Sequence, residues 1–595
     1  MGSRTIYSVL EEAARTHGKL PALHQPAGHG RYHIYSWIEY KQAVEEIACG
    51  LRSQGIRKGD IVALQSETRA EFYLADLGIM AAGSIAAALY TSYPLPNQVA
   101  NLRASDAKAV FVEDPKSMQA LIETAGAPPL PVRWILLTGE AKGALTLEQL
   151  RREGRRTLAK DRTAFEKIRA QVSSEDLAIL YLTSGATGEP KMGLVTHGAL
   201  LANVDMGPVV LRLTPADCTI GFLPSAHIAQ RVVIELLPIG MGVPVWFSEG
   251  LAKLPNEIKS IRPTFLLAPP RVWERVFASI NAEIKKRGTV SKKLFHGAVG
   301  LGAEINRLRE AGKPVPKWMQ TSLKAADRLV FSKIRARLGG RLHLAASGAA
   351  PLGPELARFY ASIGMPLIEG YGLTEGGVTC LNPLDRPKPG SIGTALPGVE
   401  LRLADDGELL IKSATLFSGY YKDPGSTAAV LRDGWLYTGD IAEIDSDGYV
   451  FITGRKKELI VSSNGKKIYP ARIEVLFKTE PIVNQVVLIG DRLPYVTALL
   501  TVNAAHAESL KGVAKDGHPK LAEAPPVLDE VRKAVARVNK QLAPFEQIRK
   551  FRVLECEFSI ESGELTPTMK VRRNRVLENH RELVSELYKG KEESQ

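Results

Sequence analysis

The first 450 residues alternate short apolar runs with longer amphipathic stretches. Runs rich in Val, Ile and Leu lie at 61–66, 109–114, 134–139 and 177–185, and a segment with helical periodicity follows each of them. Strands that alternate with helices in this way predict a layered α/β architecture. We expect the helix after the fourth run to begin near Thr196.

From Leu401 the pattern changes to period-two alternation with Asp-Gly pairs, as in ELRLADDGELLIKS and EIDSDGYVFITGR. Such pairs between alternating apolar positions favour antiparallel strands joined by tight turns. Strands near 485–490 and 496–502 and a helix near 527–542 then predict a small mixed domain.

A charged run at 455–458 interrupts the apolar pattern directly after Gly454. Few contacts cross such a segment in multidomain proteins, so it is a candidate boundary. We predict an N-terminal domain over 1–453, a linker over 454–459 and a C-terminal domain over 460–595.

Length and composition exclude several classes of protein. The chain has 595 residues, of which 45% are hydrophobic and 24% charged, as is typical of a globular protein with more than one core. Its four cysteines are each more than 100 residues apart, which disfavours a disulfide framework and a thiolate zinc site. The N-terminus has no apolar leader, and the longest uncharged apolar stretch, 77–90, is shorter than the roughly 20 residues that span a bilayer. We expect a cytoplasmic protein without a membrane span.

The net charge of +13 is concentrated in two segments. Residues 281–340 hold 14 lysines and arginines against four acidic residues, and residues 455–595 hold 25 against 19. The sequence has no zinc-finger spacing, RNP-like aromatic motif or basic heptad region, so nucleic acid is not an expected partner. The two basic segments indicate either two anionic contacts or two solvated helical faces.

A loop of hydroxyls, glycines and one lysine, TSGATGEPK at 183–191, follows the fourth apolar run. Backbone N–H groups and hydroxyls of such a loop can wrap phosphates, while Lys191 supplies positive charge. The spacing differs from GxxxxGK[ST], so this is not a P-loop. A plain surface turn is the alternative when the segment is considered alone.

Further motifs follow this loop in order. They are LPSAHI at 223–228, SGAAP at 347–351, YGLTE at 371–375, YTGD at 437–440, Gly454-Arg455 and LTPTMK at 565–570. Together these segments resemble the adenylate-forming, AMP-binding superfamily over nearly the whole chain, from about 7 to 585. Within that superfamily, PRVWERV at 270–276, the basic helical stretch after it and the ending LTPTMKVRR resemble the long-chain acyl-CoA synthetases.

The resemblance implies a large N-terminal adenylate-forming domain of layered sheets and helices with a β-rich subdomain and a basic helical insert at about 275–340. A hinge at 454–459 would join it to a small, mobile α+β lid. The implied reaction activates long-chain fatty acids: ATP and the carboxylate give acyl-adenylate and pyrophosphate, and the thiol of CoA then displaces AMP. Magnesium is the implied cofactor. The alternatives are a fatty acyl-AMP ligase that serves a carrier protein, and a non-catalytic acyl- or nucleotide-binding protein.

Four residues are implied to act in the chemistry. Lys570 is the candidate adenylation catalyst, because a flexible ammonium can contact both the carboxylate and the α-phosphate. Glu375, with Thr183, would hold Mg²⁺, and Thr374 would contact phosphate. His227 would lie near the acyl carboxylate, and a satisfied core histidine is its alternative interpretation.

The resemblance also implies a nucleotide site, a hinge residue and a residue of the CoA tunnel. Asp440 would accept both ribose hydroxyls, Arg455 would reach ribose or phosphate, and Tyr371 would stack on adenine. Lys457 matches the hinge position and Gly465 the CoA tunnel. The nucleotide-binding set is Thr183, Ser184, Gly185, Thr187, Gly188, Lys191, Gly348, Glu369, Gly370, Tyr371, Gly372, Asp440 and Arg455.

Two positions depart from the family pattern. Ala186 stands where a threonine is usual, and Met192 replaces the glycine that commonly follows the loop lysine. A hydrogen bond to a charged group contributes roughly 1.5–3 kcal/mol, so we expect an effect on ATP affinity and turnover but not on the reaction class.

The basic segment 281–340 is predicted to form packed helices with a cationic outer face. Its apolar residues are Ile284, Leu294, Phe295, Val299, Leu308, Trp318, Leu323, Leu329, Val330 and Phe331. One hypothesis is that the cationic face rests on the anionic lipid of the inner membrane surface, from which a fatty acid could enter. An ordinary solvated face is the alternative. The sequence leaves the chain-length preference and the formation of a homodimer open.

Overall fold

An eight-stranded sheet forms the centre of the N-terminal part. In spatial order its strands are Gly419–Tyr420, Lys191–Thr196, Leu177–Thr183, Ile85–Ala88, Ile61–Gln65, Ala109–Val112, Arg133–Leu136 and Ala144–Thr146. The last six are parallel, and the first two run antiparallel to their neighbours. The predicted α/β architecture is therefore confirmed. The computed structural model describes residues 4–183, 191–463, 465–510, 512–513, 521–566 and 569–589.

Two further sheets belong to the same layered region. A five-stranded sheet has the order Phe265–Ala268, Leu344–Ser347, Leu367–Leu373, Gly377–Leu381 and Thr394–Ala395. A four-stranded sheet has the order Thr219–Gly221, Val245–Phe247, Pro21–Pro26 and Tyr32–Ser36. The sequence pattern did not predict the partner strands of these two sheets.

The segment after Leu401 forms a β-rich subdomain, as predicted. Its strands are Glu400–Leu403, Glu408–Lys412, Trp435–Ile444, Leu431–Arg432 and Val450–Arg455, and all pair antiparallel. Gly407 and Gly448, each in an Asp-Gly pair, have positive φ values in the turns between strands, a conformation that glycine adopts without a steric penalty.

Helices cover the sheets of the N-terminal part. They are Ile6–His17, Trp37–Ser53, Ala70–Ala81, Leu95–Ala104, Pro115–Ala125, Leu147–Lys160, Ala164–Arg169, His197–Leu211, Leu237–Met241, Leu254–Ile261, Pro270–Lys286, Thr289–Glu310, Lys317–Ala326, Ser332–Ala336, Pro354–Ser362 and Pro424–Val430, with π-helical turns at Ala229–Leu236 and Asp327–Phe331. Local capping defines several starts: Ser36 accepts a hydrogen bond from the backbone N–H of Glu39, whose carboxylate accepts from the backbone N–H of Ser36.

The C-terminal part has its own sheet and core. Its strands are Ile460–Val461, Lys467–Ile468, Val483–Ile489, Val496–Val502 and Ile548–Val553, and its helices are Pro470–Glu474, Ala504–Ala507, Pro525–Asn539, Arg573–Asn579 and Arg581–Tyr588, with 3₁₀ turns at Lys456–Glu458 and Val475–Thr479. Fully buried members of three apolar clusters lie within 6–450, and those of two others lie within 460–587. Each part therefore buries its own core.

Two expectations about the apolar runs were wrong. Arg133–Leu136 is followed by a short edge strand before the next helix, and Leu177–Thr183 is followed by the antiparallel strand Lys191–Thr196. The helix start expected near Thr196 is confirmed, because the helix begins at His197 and the hydroxyl of Thr196 accepts from the backbone N–H of Ala199 at 3.2 Å. The hairpin pairs Thr183 with Lys191, which brings the two ends of the phosphate loop together.

The basic segment 281–340 is helical, but its apolar residues are only partly packed. Phe295 and Phe331 are buried, whereas Leu294, Trp318 and Leu329 are 48%, 65% and 54% exposed. The expectation that all ten apolar residues pack was therefore wrong. Within the described ranges no helix is both long enough and apolar enough to cross a membrane.

Candidate functional site

A cleft of about 3280 Å³ opens between the N-terminal and C-terminal parts. Its walls come from the carboxyl ends of strands in the five-stranded sheet, from the β-rich subdomain and from Thr566 and residues 569–575 of the C-terminal part. Ligands of α/β proteins commonly bind beyond the carboxyl ends of strands, so this cleft is the candidate active site.

Asp440 and Arg455 face each other on paired strands in the cleft wall. They are direct partners in the antiparallel register, and Arg455 Nε lies 2.9 Å from Asp440 Oδ1. The hydroxyl of Tyr371 donates to Asp440 Oδ2 at 2.5 Å. Attraction to Asp440 raises the pKa of Arg455, whose side chain is 54% exposed to the cleft. The group presents its guanidinium to the cleft, whereas the side chain of Asp440 is 4% exposed and both its oxygens are engaged within the group.

The glycines at 370 and 372 allow close packing of the strand that carries Tyr371. A Cβ added at Gly372 would lie 2.6 Å from the carbonyl oxygen of Gly377, so only glycine fits there without movement of the backbone. Gly348 also approaches this strand, since its Cβ would lie 3.4 Å from the carbonyl oxygen of Gly370. Gly348, Gly370 and Gly372 all line the cleft beside Tyr371.

Glu369 connects the loops around this strand. Its carboxylate accepts hydrogen bonds from the backbone N–H groups of Leu352, at 3.4 Å, and Gly390, at 3.3 Å. Burial raises the pKa of Glu369 to about 7. In this conformation Glu369 positions two loops of the cleft wall, and its predicted contact with nucleotide remains a prediction.

Glu375 and Lys191 both contact Tyr420, a residue that was not predicted from the sequence. Tyr420 donates to Glu375 Oε1 at 2.6 Å, and Lys191 Nζ lies 4.8 Å from the centre of the Tyr420 ring. Lys191 also donates to Ser426 Oγ at 2.7 Å. No motif spacing links these residues. The feature of the sequence that could have indicated Tyr420 is its position directly after a glycine at the end of a strand. Thr374 lines the cleft beside Glu375.

Lys570 lines the cleft, and its backbone is hydrogen-bonded to Thr566. The backbone N–H of Thr566 donates to the carbonyl of Lys570 at 2.8 Å, and the N–H of Lys570 donates to Thr566 Oγ1 at 3.1 Å. The ammonium reaches the solvent of the cleft, but the surrounding walls desolvate it. This desolvation, followed by repulsion from Arg455, lowers the pKa of Lys570 to about 8, although Asp440 and Glu375 oppose the shift.

His227 lines the same cleft as Lys570. Its Nδ1 accepts a hydrogen bond from the backbone N–H of Ala229 at 3.1 Å, which leaves Nε2 as the protonated nitrogen of a neutral ring. Burial, and then the charge of Lys570, lower the pKa of His227 to about 3. His227 is therefore a neutral hydrogen-bond donor at physiological pH.

Several other residues singled out in the sequence either lie outside the described residues or take no part in the contacts above. Ser184, Gly185, Thr187, Gly188 and Ala186 lie outside the described residues, as does the side chain of Thr183. Met192 is buried in an apolar cluster with Leu180 and Leu182, so it acts as a core residue in the strand after the loop. Lys457 is exposed in the 3₁₀ turn after the strand Val450–Arg455, and Gly465 has open space where a Cβ would lie.

Contacts across the cleft hold the two parts in this arrangement. Arg271 Nη1 donates to the carbonyl of Asn484 at 3.1 Å, and Lys478 Nζ lies 3.0 Å from Glu274 Oε1. Both N-terminal partners lie on the helix Pro270–Lys286. A rotation of the C-terminal part would have to break both contacts.

The fold and the cleft are those of an adenylate-forming enzyme, with a large domain, a small domain and most of the predicted motifs facing one cavity. The model of the protein family described as "AMP-binding enzyme" matches residues 10–421, and the model of the family described as "AMP-binding enzyme C-terminal domain" matches residues 457–592. The chain belongs to the AMP-binding enzyme family.

Relatives and solved structures agree with this assignment. The chain is 33% identical over 560 residues to the long-chain-fatty-acid–CoA ligase FadD15 of Mycobacterium tuberculosis, covering 92% of this chain and 91% of that one. It is 29% identical to fatty acyl-CoA synthetase A of Dictyostelium discoideum, covering 98% and 90%. The adenylation domain of a carboxylate reductase from Mycobacterium chelonae shares the fold, with a TM-score of 0.75, 23% identity and coverage of 98% and 91%.

Proposed function

We propose that this protein activates long-chain fatty acids in an ATP-dependent reaction that forms an acyl-adenylate and then an acyl-CoA, with release of pyrophosphate and AMP. The observation that carries the proposal is the convergence of Lys570, Glu375 and the Asp440–Arg455 pair on a cleft that continues into apolar walls. Similarity over 92% of the chain to a long-chain-fatty-acid–CoA ligase supports the substrate class.

In the first step, the enzyme must bring two anions together, the carboxylate and the α-phosphate. Lys570 supplies a positive charge between them, and the neutral His227 donates a hydrogen bond to the carboxylate. Asp440 accepts from the ribose hydroxyls, and Arg455 reaches ribose or phosphate. The Tyr371 strand, with Gly348, Gly370 and Gly372, provides the surface for adenine.

Magnesium fits the residues at Glu375. Its carboxylate faces the cleft, and only one oxygen accepts from Tyr420. Within the described ranges no cluster of three or more protein ligands occurs, which suits an ion that nucleotide phosphates hold with one or two carboxylates. When bound, Mg²⁺ would neutralise phosphate charge. Glu375 would hold it, Thr374 would contact phosphate, and Thr183 and the loop 184–188 would complete the site.

A panel of fatty acids of eight to twenty carbons tests the proposal. We expect AMP release that needs ATP, a fatty acid and free CoA, with the highest kcat/KM among the longer chains. AMP release that ignores free CoA but loads a pantetheinylated carrier would show a fatty acyl-AMP ligase instead. The requirement for Mg²⁺ is tested by omitting the ion: AMP release should be lost without it and should return when it is added back.

The pKa of Lys570 leads to a prediction about pH. Because the lysine acts as a cation, activity needs its protonated form, which is present below about pH 8 and lost above it. We expect kcat/KM for adenylation, measured by pyrophosphate exchange, to fall as the pH rises through 8. Lys570→Arg should move this fall to higher pH, because the guanidinium stays charged. A fall of kcat/KM at the same pH in Lys570→Arg as in the parent would contradict the assignment of this fall to deprotonation of Lys570.

We also propose that the basic segment 281–340 binds anionic lipid. Three exposed apolar side chains, Leu294, Trp318 and Leu329, each follow a basic residue, and exposed aromatic and aliphatic groups beside cations are typical of membrane-surface helices. Each Lys or Arg near an anionic surface contributes about 1 kcal/mol. Fatty acid could then pass from the lipid to the cleft.

Co-sedimentation with vesicles tests this surface. We expect binding that rises with the anionic lipid fraction, falls with salt and is lost when Lys293, Lys317 and Arg328 are all changed to Glu. A matched control reverses three charges elsewhere, at Lys142, Arg152 and Lys160, and should bind as the parent does. Equal loss in both variants, or binding insensitive to salt, would overturn the proposal. Light scattering of the same samples would show whether a homodimer forms.

A further inference from the structure

A cluster of ionisable side chains lies buried behind the wall of the cleft. Asp76, on the helix Ala70–Ala81, and Arg231 and Glu235, on the π-helical turn Ala229–Leu236, are each at most 1% exposed. Arg231 Nε donates to Asp76 Oδ2 at 3.0 Å, and its Nη2 donates to Oδ1 of the same carboxylate. Arg231 and Asp76 thus form a bidentate, fully buried ion pair.

Glu235 completes the cluster as a neutral group. Burial, and then the neighbouring Asp76 carboxylate, raise the pKa of Glu235 well above its usual value. Among the described residues neither of its oxygens has a hydrogen-bond partner, and an unpaired buried carboxyl group costs far less free energy when neutral than when charged. The positive charge of Arg231 therefore balances the negative charge of Asp76, and Glu235 adds no charge to the cluster.

The π-helical turn has two different faces. Gln230, Arg231 and Glu235 point into the core, and Gln230 Nε2 donates to the Tyr73 hydroxyl at 2.9 Å. The other face lines the cleft with Ile228, Ala229, Val232 and Val233, directly after His227. An isolated π-helical turn inserts one residue relative to an α-helix, so a change of register would alter which side chains face the cavity.

We infer that the Asp76–Arg231–Glu235 cluster positions the acyl-binding wall, by holding the register of the π-helical turn that carries Ala229, Val232 and Val233 and begins two residues after His227. The inference rests on the proposed function, because it assumes that this wall contacts the acyl chain. A buried ion pair does not itself favour stability over a well-packed apolar substitute, so a role in specificity accounts for the presence of the cluster. These three are positioning residues, since none of them lines the cleft.

The test replaces the ion pair by apolar groups of similar size in a double variant, Asp76→Leu with Arg231→Met, in the full-length chain. We expect cooperative thermal unfolding and an unchanged KM for ATP. The differences in kcat/KM among fatty acids of eight to twenty carbons should become smaller, and kcat/KM for the preferred acid should fall by about tenfold. Amide exchange in 227–237 should also become faster.

A matched control and a second variant complete the experiment. Glu46 is also buried and ion-paired, with Arg151 and Arg155, but it lies on the helix Trp37–Ser53, which contributes no residue to the cleft lining, so Glu46→Gln should leave the chain-length profile unchanged. If the double variant fails to fold, Glu235→Leu carries the test: it should flatten the profile, and Glu235→Gln should restore it. A folded variant with the profile of the parent overturns the inference. A parent protein without fatty-acid-dependent AMP release overturns the proposed function instead.

Discussion

Replacing Lys570 by alanine should reduce adenylation by about 10²–10³-fold, because it removes the positive charge between two reacting anions. Lys570 lies at the cleft with Asp440, Glu375 and Arg455 close enough to shift its pKa. Thioester formation from supplied acyl-adenylate should stay within a few-fold of the parent, since that step has no second anion to approach. Pyrophosphate exchange measures the first step, and acyl-CoA formation from synthetic acyl-adenylate measures the second.

The control for this variant is Lys540→Ala, which removes an exposed lysine that does not line the cleft. It should leave both steps unchanged. If Lys570→Ala slowed both steps equally, the lysine would have a structural role and not the catalytic role proposed here.

Replacing Lys457 by proline should block the second step by about 10²-fold or more, because a reacting group held in the wrong position loses rate on that scale. Lys457 lies in the 3₁₀ turn Lys456–Glu458 between the two parts of the chain. Proline fixes φ near −65°, a value within the range of such a turn, so the present arrangement should remain available. Adenylation should therefore stay within about threefold of the parent, whereas a rotation that changes this φ would be prevented.

Single-turnover assays of each step check this prediction, and Lys457→Ala is the matched control because it removes the side chain but leaves the backbone free. Acyl-CoA formation at the parental rate in the proline variant would locate the rotation elsewhere. Asn484→Ala removes the side-chain oxygen that accepts from Arg271 Nη2 across the cleft, and this variant should not mimic the proline effect.

The sequence predicted the α/β core, the antiparallel subdomain after Leu401 and the two C-terminal strands at 483–489 and 496–502. These predictions held because side-chain periodicity and Asp-Gly turns are local properties. The hairpin Leu177–Thr183 with Lys191–Thr196 was missed, since a short glycine-rich loop does not indicate whether a strand or a helix comes after it.

For the candidate site, the resemblance carried by the ordered motifs predicted Lys570, Glu375, Asp440 and Arg455, and all four line the cleft, while their roles stay predictions. The contact of Tyr371 with Asp440 and the support of Glu375 by Tyr420 could not be predicted. Those contacts join residues 69 and 45 positions apart, and no spacing along the chain specifies such pairs.

The sequence by itself determined the α/β alternation, the antiparallel character of the segment after Leu401, the order of the motifs and the residue types available for chemistry. Only the tertiary structure decided that Asp76 lies against Arg231, that Lys570 faces His227 across one cleft, and that Trp318 remains exposed. The physical reason is that periodicity reports which face of an element avoids water but not what covers it. Sheet order and domain placement supply that partner, and both depend on contacts between distant parts of the chain.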